Sequence, residues 1–281
     1  MRIRMVQQVA FGESPRHRMA AMRRALLAAP FPDPAAPDAP RGVQNVLVLP
    51  EMWPVGFFNF DAYRTFAHDL FEDYEQLVVE LAGTMDCWVF GGSAPFASGE
   101  TYHNRSVVAS PAGELRHFDK LHLFAYQSRE AEILTPGSAL VAFESPLGST
   151  GILTCFDLRF PESFRALRRQ GCEAFVVVAA WPLPRVAHWK ALLVARAIEN
   201  QAWVVGVNGC GEDFGTQLGG GSMIVAPDGT VVADLADEPS SQDVVVSASL
   251  THRVREQYPF HDSIIADLLE KPTTFAVLPS V

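Results

Sequence analysis

Apolar positions along the chain follow two patterns. Short, nearly unbroken apolar runs at Asn45–Leu49, Ala174–Ala179 and Trp203–Val207 have the length and β-branched content of strands buried on both faces. Apolar residues at helical spacing predict helices over Arg16–Ala29, Glu72–Met85, Pro161–Gln170 and Val186–Gln201. Pro161 suits a first helical turn, where its missing donor costs nothing. Further strands are expected at Arg2–Val9, Trp88–Gly91, Ser106–Ala109, Leu115–Phe118, Ala139–Phe143 and Gly151–Thr154. Ser110-Pro-Ala-Gly113 and Thr135-Pro-Gly137 supply turn chemistry between them. Ala226-Pro-Asp-Gly229 marks a hairpin joining Ser222–Val225 to Thr230–Ala233, and the tail adds a strand, Asp243–Ala248, and short helical pieces up to Leu269. Strands outnumber helices and the two are interleaved, which predicts an α/β fold of sheets with helices outside, in a single domain over 1–281. Pro30–Arg41 is Pro/Ala-rich and reads as a surface loop; an interdomain linker is the alternative, but too little chain precedes it to form a domain. From about residue 250 the chain reads as a C-terminal extension.

Composition narrows the class. The 281 residues are 48% hydrophobic and 19% charged, enough for a sizeable core and unlike a disordered chain. Basic and acidic counts of 22 and 32 give a net charge of −10, which excludes the dense basic footprint of a nucleic-acid binder. Met1–Val9 lacks the apolar stretch of a secretory signal, and the longest apolar run, Ala174–Trp181, is far short of the ~20 residues that span a bilayer. Four cysteines with no CxxC pair are too few for a disulfide scaffold. The expectation is a soluble cytoplasmic protein with free thiols and no membrane contact.

Candidate chemistry centres on Cys155, where the apolar strand Gly151–Thr154 gives way to the polar turn Phe156–Arg159. At such a junction free backbone N–H groups lower a thiol's pKa and bind an oxyanion, although a free cysteine is also often just a small buried hydrophobe. Glu51 follows a strand in the same way, with a solvated loop carboxylate as the alternative. Lys120 closes the strand-like Leu115–Asp119, with a snorkelling lysine as the alternative. Thiol, carboxylate and ammonium together supply nucleophile, base and cation without a histidine.

The segments LVLPEMWPVGF (Leu47–Phe57), HFDKLHLF (His117–Phe124) and GILTCFDLRFPE (Gly151–Glu162) resemble the three signature blocks of the nitrilase superfamily of carbon–nitrogen hydrolases. The similarity continues through Ala179–Asn208, and CFDLRFPE with WPLPR and ARAIENQ is most similar to the omega-amidase branch. The resemblance implies a four-layer αββα sandwich and pairing into a homodimer or larger homo-oligomer through helices near the nucleophile. It implies Glu51 as general base, Lys120 as cationic stabiliser and Cys155 as nucleophile. A second glutamate is implied before a Pro-Gly turn, with Glu130 the better match and Glu132 its competitor. Phe156 stands where this branch commonly has tyrosine; its backbone N–H still serves the oxyanion, but a side-chain hydroxyl contact is lost.

The implied reaction is hydrolysis of a small carboxamide to acid and ammonia through a cysteine thioester, with no cofactor and no metal. Omega-amidases act on 2-oxo dicarboxylic acid monoamides; an aliphatic amide, an N-carbamoyl amine or a nitrile are alternative substrates, and an inactive binding module is an alternative of another kind. An anionic substrate end calls for a guanidinium, with Arg159 and Arg185 the candidates. Trp53, Phe57, Phe58 and Trp181 are candidate pocket walls, and Pro54–Phe58 a candidate lid. His122 and His188 are the nearest partners for a Cys–His dyad but lie in no such context, and Asp157 and Arg159 are candidates to pair and hold the nucleophile turn.

Overall fold

The structure, a computed structural model, describes residues 1–8, 14–32 and 42–263. Most of the expected surface loop at 30–41, and the helical pieces expected after residue 263, lie outside the described residues.

The first half of the chain runs β1 (Arg2–Gln7), α1 (Pro15–Ala28), β2 (Asn45–Val48), α2 (Tyr63–Asp69), α3 (Phe71–Thr84), β3 (Cys87–Ser98), β4 (Thr101–Ala109), β5 (Leu115–Asp119) and the single-turn α4 (Glu130–Ile133). The second half runs β6 (Ala142–Ser145), β7 (Gly148–Thr154), a 3-10 turn (Cys155–Arg159), α5 (Pro161–Arg169), β8 (Ala174–Ala179), α6 (Val186–Asn200) and β9 (Trp203–Asn208). It ends with β10 (Cys210–Asp213), β11 (Thr216–Gly219), β12 (Met223–Val225), β13 (Val231–Asp234), β14 (Ser240–Val245) and α7 (Leu250–Gln257).

Two six-stranded sheets form, in the orders β14-β1-β2-β3-β4-β5 and β13-β12-β9-β8-β7-β6, with β10 and β11 as a separate hairpin. Each has a parallel trio at its centre, β1–β2–β3 and β7–β8–β9, with Val46 opposite Trp88 and Val176 opposite Val205 fixing register. The trios are the near-continuous apolar runs of the sequence, because both their faces are covered. On β8, Val176 and Val178 pack with Ile3, Val48 and Phe90 between the sheets. Their neighbours Phe175 and Val177 point the other way, onto Phe164 of α5 and Trp189 and Leu193 of α6. Helices α1, α2 and α3 cover the outer face of the first sheet with Met22, Phe66 and Leu81. The result is a four-layer αββα sandwich, as the resemblance implies.

Several elements depart from expectation. β3 continues to Ser98 through an irregular register between Phe90 and Ser93, a bulge made at Gly91-Gly92 that ended the apolar pattern early. The hairpin β10–β11 and the short helices α2 and α4 carry too few periodic positions to be read from sequence. β6 starts three residues later and β14 earlier than expected. Among the described residues no helix is long and apolar enough to cross a membrane.

Candidate active site

Glu51, Lys120, Glu130 and Cys155 come from four separate segments and meet at one point. Glu51 follows β2 across Pro50, a turn pressed against the β3 bulge so closely that a Cβ on Gly92 (φ +75) would lie 1.9 Å from the Pro50 carbonyl oxygen. Lys120 follows β5; its N–H donates to the Asn104 carbonyl at 3.0 Å, and its own carbonyl accepts from Gly137 at 2.8 Å. Glu130 opens α4 beside that turn, its N–H held by Ser128 Oγ at 3.1 Å. Cys155 follows directly on β7 with φ +48, a strained conformation for a residue with a Cβ, which turns the chain out of the strand line.

All four residues are buried, Cys155 at 7% exposure and the Lys120, Glu51 and Glu130 side chains at 0%. Lys120 Nζ donates to Glu51 Oε1 and to both oxygens of Glu130, each at 2.9 Å. Glu51 Oε2 accepts from the Ala180 N–H at 2.8 Å, and Glu130 Oε2 from the Phe124 N–H at 2.7 Å. The Cys155 thiol lies in hydrogen-bonding reach of Glu51 and of the Ala180 N–H. Glu132 is 70% exposed and 3.7 Å from Arg129, so Glu130 alone of the two candidates reaches the lysine.

Burial, and after it the Glu51 charge, pushes the Cys155 thiol well above the usual thiol range, against the pull of Lys120. The sequence-based expectation of a lowered thiol pKa therefore does not hold: desolvation outweighs the local N–H donors. Burial alone would lower Lys120, but Glu130 and then Glu51 outweigh it and hold the ammonium charged. Burial raises Glu130; Lys120 pulls it back down, and Glu51 raises it further.

A narrow pocket opens onto Cys155, lined by Phe57, Phe58, Phe124, Phe156, Arg159, Trp181 and Arg185 among others. Every substrate-side candidate except Trp53 is in this lining. Trp53 instead sits in the core, donating its indole N–H to the Gly91 carbonyl at 2.8 Å. The Pro54–Phe58 segment stands closed against its neighbours: Tyr63 Oη donates to the Phe57 carbonyl, and Asp213 of the β10–β11 hairpin accepts the Phe58 N–H at 3.2 Å. Arg159 lies over the Trp181 ring at 4.6 Å and Arg185 over Phe124 at 5.4 Å. Burial and then repulsion from Arg185 lower Arg159. Among the described residues neither guanidinium has a carboxylate partner.

Asp157 does not pair with Arg159. It is wholly buried and accepts from the Thr154 N–H at 3.0 Å and from the His122 N–H and Nδ1 at 2.8 Å each, pinning the Cys155 turn to the segment after Lys120. His122, stacked on Phe160 at 3.7 Å, is thereby committed to Asp157, and His188 lies 3.5 Å from Arg159, so neither forms a dyad with Cys155. Sequence reading missed Asn104, whose Nδ2 donates to Glu51 Oε1 at 2.8 Å and Glu130 Oε1 at 3.0 Å; one polar residue inside a strand of mixed pattern carries no local signal. Among the described residues no group of three or more His, Cys, Asp or Glu is placed to hold a metal ion.

Helix-covered paired sheets with this cluster at their strand ends define a nitrilase-like hydrolase architecture. The chain belongs to the carbon-nitrogen hydrolase family, which it matches over residues 15–258, and is a hydrolase of non-peptide carbon–nitrogen bonds. It is similar to the 2-oxoglutaramate amidase of Paenarthrobacter nicotinovorans, with 33% identity over 236 residues, 81% of this chain and 80% of that one. Omega-amidase YafV of Escherichia coli (strain K12) is 33% identical over 223 residues, 77% of this chain and 82% of that one. XC1258 of Xanthomonas campestris, a CN-hydrolase superfamily protein solved with an arsenic adduct in its active site, has the same fold at a TM-score of 0.80 and 24% identity, covering 99% of each chain.

Proposed function

We propose that the chain is an omega-amidase that hydrolyses the terminal amide of a short 2-oxo dicarboxylic acid monoamide such as 2-oxoglutaramate. The observation that carries the substrate class is the pair of guanidinia, Arg159 and Arg185, facing one pocket with Cys155 and repelling each other. An anionic substrate end relieves that repulsion while the amide reaches the thiol. The pocket is narrow and walled largely by aromatic rings, which suits a short acid. The names of the relatives point the same way.

In this reading Glu51 takes the Cys155 proton as sulfur bonds to the amide carbon. The Lys120 charge and the Phe156 N–H receive the oxyanion, a contribution of ~3 kcal/mol per good donor. Collapse breaks the C–N bond; the proton held by Glu51 passes to nitrogen and ammonia leaves a thioester. Water then gives a proton to Glu51 and attacks the thioester, the C–S bond breaks, and the proton returns to sulfur. Glu130 holds Lys120 in place throughout. The same reading makes 1–281 one catalytic domain, located in the cytoplasm and working as a homodimer; exposed apolar Ile198 on α6, with Tyr258 and Phe260 nearby, supports the pairing.

The test is ammonia release from 2-oxoglutaramate, an aliphatic amide, an N-carbamoyl amine and a nitrile. The oxo acid amide is expected to give the highest kcat/KM, Cys155→Ala to abolish turnover, and Arg159→Met or Arg185→Met to lower kcat/KM by about 10- to 100-fold, the worth of one charged hydrogen bond. Preferred turnover of a neutral amide or a carbamoyl compound, indifferent to both arginines, overturns the substrate assignment.

A further inference from the structure

Glu51 and Glu130 share more than Lys120. Their Oε1 atoms both lie 2.9 Å from the same Nζ and at 2.8 and 3.0 Å from the same Asn104 Nδ2. Two carboxylates held this close in a buried site ordinarily retain one proton between them, because both cannot stay ionised without compensation. A proton lodged there would occupy the base that must accept one from Cys155.

We infer that Asn104 is a positioning residue that stops Glu51 and Glu130 from sharing a proton, by setting one side-chain N–H against each carboxylate. A primary amide nitrogen has two hydrogens, and here each faces a different acid. The amide's orientation is fixed, since the reverse one would set Oδ1 against two carboxylate oxygens. Asn104 is buried, and its Oδ1 has no partner among the described residues. Buried acceptors are rarely left unpaired, so this side chain is placed for its donors at the expense of its acceptor. Its main chain does separate work, accepting from the Lys120 N–H at 3.0 Å, a bond that side-chain substitution preserves.

The other charged and titratable groups facing the pair cannot replace the amide. Lys120 has three hydrogens, one on Glu51 and two on Glu130. Tyr63 of α2 donates its hydroxyl to the Phe57 carbonyl. Asp213 of β10 adds negative charge from behind the Phe57 wall. The Cys155 thiol donates toward Glu51 alone.

The inference rests on Glu51 being the base, so the experiment reads the base without a substrate. Alkylation of Cys155 by iodoacetamide is followed from pH 5 to 9 in the full-length wild type, Asn104→Ala, Asn104→Asp and Glu51→Gln, alongside kcat/KM for an amide that the wild type hydrolyses. Asn104→Ala is expected to move the acidic limb of both profiles up by about one pH unit or more. The rate at pH 6 then falls at least tenfold and recovers to within about threefold of wild type near pH 9. Asn104→Asp, nearly isosteric but with a third acid in place of the donors, is expected to move the limb further. A uniform loss with an unmoved limb, an unchanged profile, or a failure of both Asn104 variants to fold would make Asn104 a merely structural residue and overturn the inference. If Glu51→Gln abolishes the limb and Asn104→Ala leaves it in place, the inference alone has failed. If Glu51→Gln keeps the limb, the assignment of the base has failed with it.

Discussion

Replacing Glu130 by glutamine tests whether the buried cluster is held by charge or only by shape. Oε1 of Glu130 accepts from Lys120 and Asn104, and Oε2 accepts from Lys120 and the Phe124 N–H. Whichever oxygen becomes the amide nitrogen therefore meets two donors and can accept from neither. Glutamine fits the volume and fails the hydrogen bonding in both orientations. Removing one member of a buried pair costs ~3–5 kcal/mol, and Glu51 still neutralises Lys120, which places the charge loss near the lower figure. Stranded donors add ~1–3 kcal/mol, so Glu130→Gln should destabilise by about 4 kcal/mol. With a urea slope of ~3 kcal/mol/M or somewhat above for a chain of this size, the unfolding midpoint falls by about 1 M. The assay is urea denaturation followed by tryptophan fluorescence, with ammonia release measured on the folded fraction. Glu132→Gln, on the same turn but in solvent, is the matched control and should stay within ~0.5 kcal/mol. A Glu130→Gln midpoint within 0.3 M of wild type, or equal losses in the two variants, would refute the reasoning.

Two more outcomes follow from the geometry. Burial pushes the Cys87 and Cys210 thiols up to about 12, whereas in the unfolded chain they ionise near the ordinary value of 9. Between pH 9 and 12 the unfolded state thus binds fewer protons than the folded one, so stability falls as pH rises through that window; urea midpoints at pH 8, 10 and 11 should decline, and decline less in Cys87→Ala. Gly92→Ala drives a Cβ into the Pro50 carbonyl at a positive φ and should yield little soluble protein, whereas a thermal melt unchanged from wild type would mean the Glu51 turn is far softer than its geometry indicates.

How far the sequence disclosed this molecule varies with the reach of each interaction. The buried parallel strands were legible because covering both faces of a strand leaves a local mark, and Ala174–Ala179 emerged with its boundaries intact. The Cys155 turn was legible for the same reason, as a strand, a polar 3-10 turn and a proline-started helix in succession. β3 was cut short at Gly91-Gly92 because glycine ends an apolar pattern whether the strand stops or merely bulges. The convergence of Glu51, Lys120, Glu130 and Cys155 was accessible only through resemblance, since nothing local to any one block reports the others. Asp157 illustrates the remaining gap: its neighbour in sequence, Arg159, is the wrong partner, and the right one, His122, lies 35 positions away. The thiol's direction of shift was misjudged because desolvation is a property of the assembled interior and not of the strand–turn junction.

The reactive cluster draws Glu51, Asn104 and Lys120 from the first sheet and Cys155 and Ala180 from the second. The cluster is consequently complete only once Ala180 has been synthesised and the two sheets have closed on each other. Under the proposed mechanism, ammonia release doubles as a readout of that closure.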